Sequence, residues 1–342
     1  MRERADVGGM RIGVLGAARI VPLALLQPAR AIGGVRVTAI AARDPGRARA
    51  FALKHDIPTV HGDYESLLAD ASIDAIYNPL PAALHGHWTL QALDAGKHVL
   101  CEKPFTANAT EARAVADTAR HSGLVVMEAF HYRYHPLADR IIDIARSGEI
   151  GELIRLSATF CFPIPPGRNI RWQEQLGGGA TMDIGCYPIH LLRHITGQEP
   201  TVTWAIAKAV SPNVDRFLKA QVAFPSGATG ELTAALWSAR LLSSTLTMTG
   251  TRGSLRVLSP YHPQVFHHFV VRTADGRRRE RFSRLATYHY QLEAFRAAVQ
   301  DGTPIITGPD DAVANMTVID AAYRAAGMRP RQPLDPNEFH AT

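Results

Sequence analysis

The sequence predicts an α/β Rossmann-type domain followed by an α+β domain built on a mostly antiparallel sheet. Three observations carry this. Between residues 10 and 130, short apolar runs alternate with helix-length segments rich in Ala, Leu and Arg. A glycine-bearing turn, Gly13-Val14-Leu15-Gly16-Ala17-Ala18, follows the first run. Beyond Pro136 the alternation gives way to long β-type segments separated by turn signals. A length of 342 residues suits two domains at roughly 150 residues each.

In the first half the apolar runs are 10–16, 35–42, 73–77, 97–100 and 124–128. The segments of helical length between them are 18–33, 45–55, 63–70, 84–95 and 107–121. Alternation at this spacing predicts βαβ units and a parallel sheet covered on both faces. The predicted organisation is a loose extension at 1–9, a dinucleotide-binding domain at 10–130 and a substrate-binding and oligomerisation domain at 131–342. The second half opens with a helix over about 137–147, stopped by Gly148. Strands are expected at 152–162, 201–210, 214–224, 229–238, 243–249, 253–258, 265–273 and 278–282. Turn signals at Pro225-Ser226-Gly227, Thr251-Arg252-Gly253 and Asp275-Gly276 make consecutive strands antiparallel. Helices over about 288–301 and 309–327 close the chain.

Composition narrows the function. Hydrophobic residues are 46% and charged residues 20%, which excludes a disordered chain or a coiled coil. Lys+Arg minus Asp+Glu is 37 − 31 = +6, and the one dense basic run is Arg277-Arg278-Arg279-Glu280-Arg281. That run follows a hairpin signal and reads as a solvated strand, so no nucleic-acid partner is expected. Cys101, Cys161 and Cys186 are far apart and form no C-x-x-C, which argues against a disulfide framework and fits a reducing cytoplasm. No apolar run approaches the ~20 residues that span a bilayer, and residues 1–9 lack a signal-peptide core, so no membrane partner is expected.

The first turn suits a dinucleotide. Gly16 supplies a tight turn, and backbone at Gly13, Gly16, Ala17, Ala18, Arg19 and Ile20 is placed to approach a pyrophosphate at a helix N-terminus. Ala18 stands where the G-x-G-x-x-G pattern has its second glycine, so the fingerprint is incomplete, and a glycine-bearing βαβ turn without a ligand is the plain alternative. The second strand ends at Ala42-Arg43-Asp44-Pro45. Asp44 before Pro45 reads as a helix N-cap, which occupies its carboxylate. Arg43 and Arg47 are then suited to a 2′-phosphate, which favours NADP, with NAD a lesser candidate; ordinary surface arginines are the alternative.

Two further segments carry chemistry. Cys101-Glu102-Lys103-Pro104-Phe105 sits at the carboxyl end of a parallel strand, where open α/β sheets place ligands. Pro104 keeps Lys103 extended, and its ammonium there suits a substrate oxygen. Gly177-Gly178-Gly179-Ala180-Thr181-Met182-Asp183-Ile184-Gly185-Cys186-Tyr187-Pro188 permits close backbone approach, and Asp183 and Tyr187 share a face if the segment is helical. A tyrosine is a weak base near pH 7 unless a cation stabilises its phenolate, and Lys103 is the candidate cation. The bland alternatives are a surface lysine, a capping Asp and a core Tyr. Histidine pairs at His131/His135 and His190/His194 lack an H-E-x-x-H pattern or a completing Cys, so no metal is expected. No G-x-S-x-G elbow or Walker A loop is present, which disfavours hydrolase and kinase readings.

Together, GVLGAARI, Glu102-Lys103-Pro104 and GGGATMDIGCYPIH, with YNPLPAALH and MEAFHYRYHP, resemble the Gfo/Idh/MocA oxidoreductase family over residues 10 to about 328. The resemblance implies a Rossmann domain, a C-terminal domain with a large open sheet whose outer face forms homodimer or homotetramer contacts, and a bound NAD(P). Family members often carry a histidine four residues after the aspartate; Tyr187 stands there instead. This is similar to the branch of dimeric dihydrodiol dehydrogenases, NADP-dependent xylose dehydrogenases, glucose–fructose oxidoreductase and some sugar-nucleotide 3-ketoreductases. By position it implies Lys103 and Tyr187 as catalytic groups, with Asp183 in support. Pro79, Leu80, His85, Glu102 and Lys103 join the expected cofactor contacts, and His131, Arg133, Arg171 and Trp172 are candidate substrate contacts. The expected activity is NADP-dependent hydride transfer to or from a sugar, polyol or trans-dihydrodiol. The rival readings are a ketoreductase of nucleotide-linked ketosugars and a non-catalytic NADP-binding regulator.

Overall fold

A computed structural model of the chain describes residues 9–239 and 241–337. The expected extension at 1–9 lies, Gly9 apart, outside them. The first sheet holds β1 (Met10–Leu15), β2 (Val35–Ala41), β3 (Thr59–Val60), β4 (Ala75–Asn78), β5 (His98–Cys101) and β6 (Val126–Glu128). Every pairing in it is parallel, in the order β3-β2-β1-β4-β5-β6. The order reverses between β1 and β4, and a crevice opens at such a switch point. The connecting helices are α1 (Gln27–Ala31), α2 (Pro45–His55), α3 (Tyr64–Leu68), α4 (Ala82–Asp94) and α5 (Ala109–Ser122). Local chemistry sets their ends. Asp44 Oδ1 accepts from Gly46 N at 2.8 Å and Arg47 N at 3.1 Å, as its N-cap reading requires. Asn108 caps α5 in the same way, and left-handed Gly123 ends it. The first helical segment is shorter than expected: a π-helical turn at Pro22–Leu26 runs into α1.

The second half begins with α6 (Pro136–Arg146) and continues with β7 (Leu153–Cys161), α7 (Cys186–Thr196), β8 (Thr201–Ser211), β9 (Val214–Ala223), β10 (Thr229–Ala235), β11 (Ser243–Gly250), β12 (Gly253–Leu258), β13 (His268–Thr273), β14 (Gly276–Glu280), α8 (Thr287–Asp301) and α9 (Pro309–Ala325). The eight strands form one sheet in the order β14-β13-β12-β11-β7-β10-β9-β8. It is antiparallel except where β10 lies parallel to β7, Leu232 opposite Ala158. That pairing departs from a purely antiparallel meander. The chain leaves β7, crosses through α7, enters at the far edge as β8 and folds back through β9, so β10 runs in the direction of β7. The basic run forms β14; it is exposed, and Arg278 pairs with Glu280 and Glu149.

Two returns tie the halves together. Tyr288, Leu292 and Phe295 of α8 pack into the apolar cluster of Val14, Leu25 and Ile40 beneath the first sheet. After α9 the chain runs back to α4, where Leu334 N donates to Ala83 O at 2.9 Å. Among the described residues, no helix is long and apolar enough to cross a membrane.

Candidate active site

The β1 turn opens onto a cleft of about 520 Å³. Gly16 makes the turn with φ +89°, its N–H on Ala41 O at 2.6 Å, and a side chain there would press on Leu80. Gly16, Ala17, Ala18, Arg43, Arg47, Pro79 and Leu80 line the cleft as expected. Gly13 does not. It lies inside β1, where a Cβ would meet Leu67 at 2.8 Å, so this glycine serves close packing under α3. Arg19 is exposed just past the turn, and Ile20 packs into the core while its carbonyl accepts from Ala24 N at 2.8 Å; neither lines the cleft. The opposite wall was not foreseen. Gln173 and Leu176 come from the second half, and Leu334 from beyond α9. Small residues at the β1 turn, with exposed Arg43 just past β2 and exposed Arg47 in the first turn of α2, fit a phosphate-bearing dinucleotide.

Past the cleft, at the carboxyl end of β5, the two halves meet. Lys103 Nζ donates to Asp183 O at 2.7 Å and to Asp183 Oδ1 at 3.3 Å. Arg171 Nε donates to Asp183 Oδ2 at 2.6 Å. The same ammonium stands 5.2 Å from the centre of the Tyr187 ring. Asp183 sits in a π-helical turn, Thr181–Gly185, and Tyr187 in the first turn of α7. The triple glycine makes the approach possible. Gly178 N and Gly179 N close onto Gln173 O and Arg171 O, both at 2.9 Å, and a Cβ on Gly178 would meet both carbonyls at 2.7 Å. Behind this loop, buried Asp215 accepts from Thr181 N at 2.8 Å and from Arg331 Nη2 at 3.2 Å. Glu102 Oε1 accepts from Tyr77 OH at 2.7 Å.

Charge follows this geometry. Burial works against the Asp183 carboxylate, but Lys103 and Arg171 outweigh it and hold its pKa below the usual range. Burial also opposes the Lys103 ammonium, yet Asp183 keeps it above the usual lysine value. Burial raises the Glu102 carboxyl and pushes the Tyr187 phenol well above ten. The expectation that Lys103 lowers the phenol's pKa therefore needs correcting for this structure: with the ammonium paired to Asp183, burial dominates at Tyr187.

The remaining candidates divide. His131 touches the cluster, with Nε2 3.2 Å from Tyr187 OH and Nδ1 2.7 Å from Thr287 Oγ1. Both ring nitrogens are engaged within the chain, so it does not offer a substrate contact. Arg171 is partly exposed beside Asp183. Arg133 belongs elsewhere: its guanidinium is committed to Asp139 at 2.7 Å and to His194 Nδ1 at 3.2 Å. Trp172 is largely buried, its indole N–H on Pro165 O at 2.9 Å. His85 is buried between Pro104 O at 2.8 Å and Leu80 O at 2.6 Å, linking the two site loops rather than lining the cleft; burial draws its pKa down to about 4.

The ligand-capable atoms of His190, His194 and Asp311 lie within 4.8 Å of one another. Arg133 Nε can only donate to His194 Nδ1, which puts that ring's proton on Nε2, facing Asp311 Oδ1 at 3.1 Å. Arg193 Nη1 also donates to Asp311 Oδ1, at 2.9 Å. The carboxylate's counter-cation is thus a guanidinium of the chain itself.

A doubly wound parallel sheet with a glycine turn after its first strand, and a lysine at its carboxyl edge met by an aspartate and a tyrosine from a second sheet domain, is the build of a nicotinamide-dependent oxidoreductase. The chain belongs to the GFO/IDH/MocA family of such enzymes. Residues 10–130 match its "Oxidoreductase family, NAD-binding Rossmann fold" and residues 139–256 its "GFO/IDH/MocA C-terminal domain". It is 36% identical to a D-xylose 1-dehydrogenase (NADP(+)) of Haloferax volcanii over 95% of this chain and 100% of that protein. It is 34% identical to a trans-1,2-dihydrobenzene-1,2-diol dehydrogenase of Sus scrofa over 66% of this chain and 67% of that protein. The crystal structure of a 3-ketoreductase from Actinomadura kijaniata, in complex with NADP and TDP-benzene, superposes with a TM-score of 0.86 at 30% identity, covering 94% of this chain and 98% of that one.

Proposed function

We propose that this oxidoreductase uses NADP to interconvert a carbinol and a carbonyl on a sugar, polyol or trans-dihydrodiol. One observation carries the reading: Lys103, Asp183 and Tyr187, brought from opposite halves of the chain, converge beside the dinucleotide cleft. The relatives named for NADP-dependent xylose oxidation and for dihydrodiol oxidation support the substrate class. Arg43 and Arg47 at the cleft end support the 2′-phosphate.

A bound dinucleotide supplies or accepts hydride at its nicotinamide. The chain's own groups handle the rest. Tyr187 gives or takes the hydroxyl proton of the substrate. The Lys103 ammonium, held by Asp183, orients the substrate oxygen and stabilises charge that develops on it. Arg171 fixes Asp183 from the solvent side. The division at 130/131 assigns the dinucleotide to the first part and the substrate to the second, supported by the two sheets falling on either side of it. Three free, buried thiols support a reducing cytoplasmic setting.

A homodimer or homotetramer is also proposed. Trp204 and Ile206 are exposed on β8; by pairing with Gln221 and Lys219 they lie on the sheet face opposite Leu218 and Ala220. Apolar side chains of this size on an open sheet face mark a contact surface.

The test is a screen of D-xylose, other aldoses, polyols and trans-dihydrodiols, following reduced-nicotinamide absorbance with NADP and with NAD. Turnover with NADP is expected. A protein that binds NADPH yet is inert to the whole panel and to nucleotide-linked ketosugars overturns the reading in favour of a regulator. The ketosugar reading has its own support in the superposed ketoreductase, and turnover of that substrate alone would select it.

A further inference from the structure

The Tyr187 hydroxyl is hydrogen-bonded within the chain. Its side chain is buried, and the hydrogen-bond partner of its oxygen among the described residues is His131 Nε2, at 3.2 Å. The far side of that ring is engaged as well, Nδ1 standing 2.7 Å from Thr287 Oγ1 at the start of α8. His131 lies in the 3-10 turn after β6, Tyr187 on α7 and Thr287 on α8, so three separate elements build one continuous chain of polar atoms. The titratable groups around His131 are Tyr187 on α7, Tyr288 on α8 with ring centres 4.2 Å apart, His262 from the segment before β13 at 5.2 Å, and Lys103 from the β5 loop. Among the described residues no carboxylate raises its pKa, and burial, His262 and Lys103 all oppose a charge on the ring, so His131 rests neutral.

We propose that His131 is a proton-relay residue for Tyr187, receiving the phenolic proton at Nε2 while Thr287 holds the far side of the ring. This rests on the proposed oxidoreductase reading. A neutral imidazole has one N–H and one lone pair. With the proton on Nδ1 donated to Thr287 Oγ1, the lone pair on Nε2 faces the phenol. In the oxidative direction the substrate O–H breaks and its proton forms a new bond to the Tyr187 oxygen. The original Tyr187 O–H breaks at the same time, and its proton forms Nε2–H on His131. The hydride would go to the nicotinamide of a bound NADP, and the imidazolium stays hydrogen-bonded to Thr287. The reductive direction reverses each transfer. The relay answers the problem that burial creates at Tyr187. A phenol with a raised pKa is a poor base alone, but a phenol that passes its own proton on need not ionise fully.

The direct test needs no substrate. In protein labelled with 15N at histidine, with and without NADP, NMR reads which ring nitrogen of His131 carries the proton; His131→Gln assigns the signal. The expected state is Nδ1–H with Nε2 an acceptor, and Tyr187→Phe should move the Nε2 resonance to that of a free imine nitrogen. A proton on Nε2, or no response to Tyr187→Phe, overturns the relay whatever the enzyme turns over. Once a sugar or diol is turned over, His131→Ala should lower kcat about 10²-fold with NADPH affinity unchanged, the ordinary worth of a positioned acid–base group. Added imidazole should restore part of that loss in His131→Ala and none in His131→Gln. Wild-type kcat in His131→Gln, or no rescue of a folded His131→Ala, overturns it. A protein with the expected tautomer but no activity on the panel leaves the geometry standing and removes the reaction.

Discussion

Lys103 meets Asp183 twice, its ammonium donating to the aspartate's own backbone carbonyl at 2.7 Å and to its carboxylate at 3.3 Å, across 80 residues of sequence. The backbone contact ties the lysine to the turn that leads into Tyr187, so the amine and the phenol are positioned by the same few atoms.

Lys103→Met and Tyr187→Phe should each lower turnover by at least about 10²-fold, with NADPH binding retained. Fluorescence titration of NADPH beside steady-state kinetics checks both halves of the statement. Full activity in Tyr187→Phe would remove the phenol from the reaction.

Arg43 stands at the end of the cleft, beside a carboxylate already spent on capping α2. Arg43→Ala should weaken NADP(H) use about ten- to a hundredfold, the worth of a charge-assisted hydrogen bond, and leave NAD(H) use nearly unchanged. Equal losses for both cofactors would move the 2′-phosphate elsewhere.

Glu111 gives a pH prediction. Burial pushes its carboxyl up to about 7, although Oε2 accepts from Ala107 N at 2.8 Å. A raised carboxyl pKa means the folded state binds the proton more tightly than the unfolded one. Its contribution is full below the unfolded value near 4.5 and is lost as pH rises to about 7. Unfolding free energies from denaturant titrations between these limits should therefore fall with pH by up to about 1.4 kcal/mol per unit from this group. The neutral Glu111→Gln should flatten that slope; an unchanged slope would assign it to other groups.

Asp183 runs the other way. Its lowered pKa, with Lys103 and Arg171 overcoming burial, contributes stability above the unfolded carboxylate value that is lost as pH falls through the folded one. Asp183→Asn should thus cost stability at neutral pH and approach wild type below about pH 4. A gap that persists into strong acid would show that the cost is not electrostatic.

Trp204→Arg places a charge on the proposed contact face of the second sheet. Sedimentation should show a smaller assembly than wild type with the fold intact by circular dichroism. An unchanged mass would move the interface off β8.

The first half of the fold was legible because its signals are local. Alternating apolar runs and helix-length segments placed five of the six parallel strands, and the two-residue β3 was too short to show. Asp44-Pro45 announced the start of α2 because a side chain capping its own helix needs no distant partner. No pattern in the sequence marks α7 as a helix. Its Ile189, His190, Leu191, Leu192 and Arg193 are buried on every side, so no polar stripe marks a period.

By itself the sequence determined the βαβ order and the glycine turn at Gly16, and through two short motifs it singled out Lys103, Asp183 and Tyr187, which the fold brings together. Only the tertiary structure decided the parallel seam between β7 and β10, the packing role of Gly13, the removal of Arg133 to Asp139, and the place of His131 behind the phenol rather than against substrate. The reason is physical. Periodicity and caps report on neighbours a few residues away, whereas the partner of a buried polar group is chosen by whatever the fold brings beside it, here Thr287 at 2.7 Å across 156 residues.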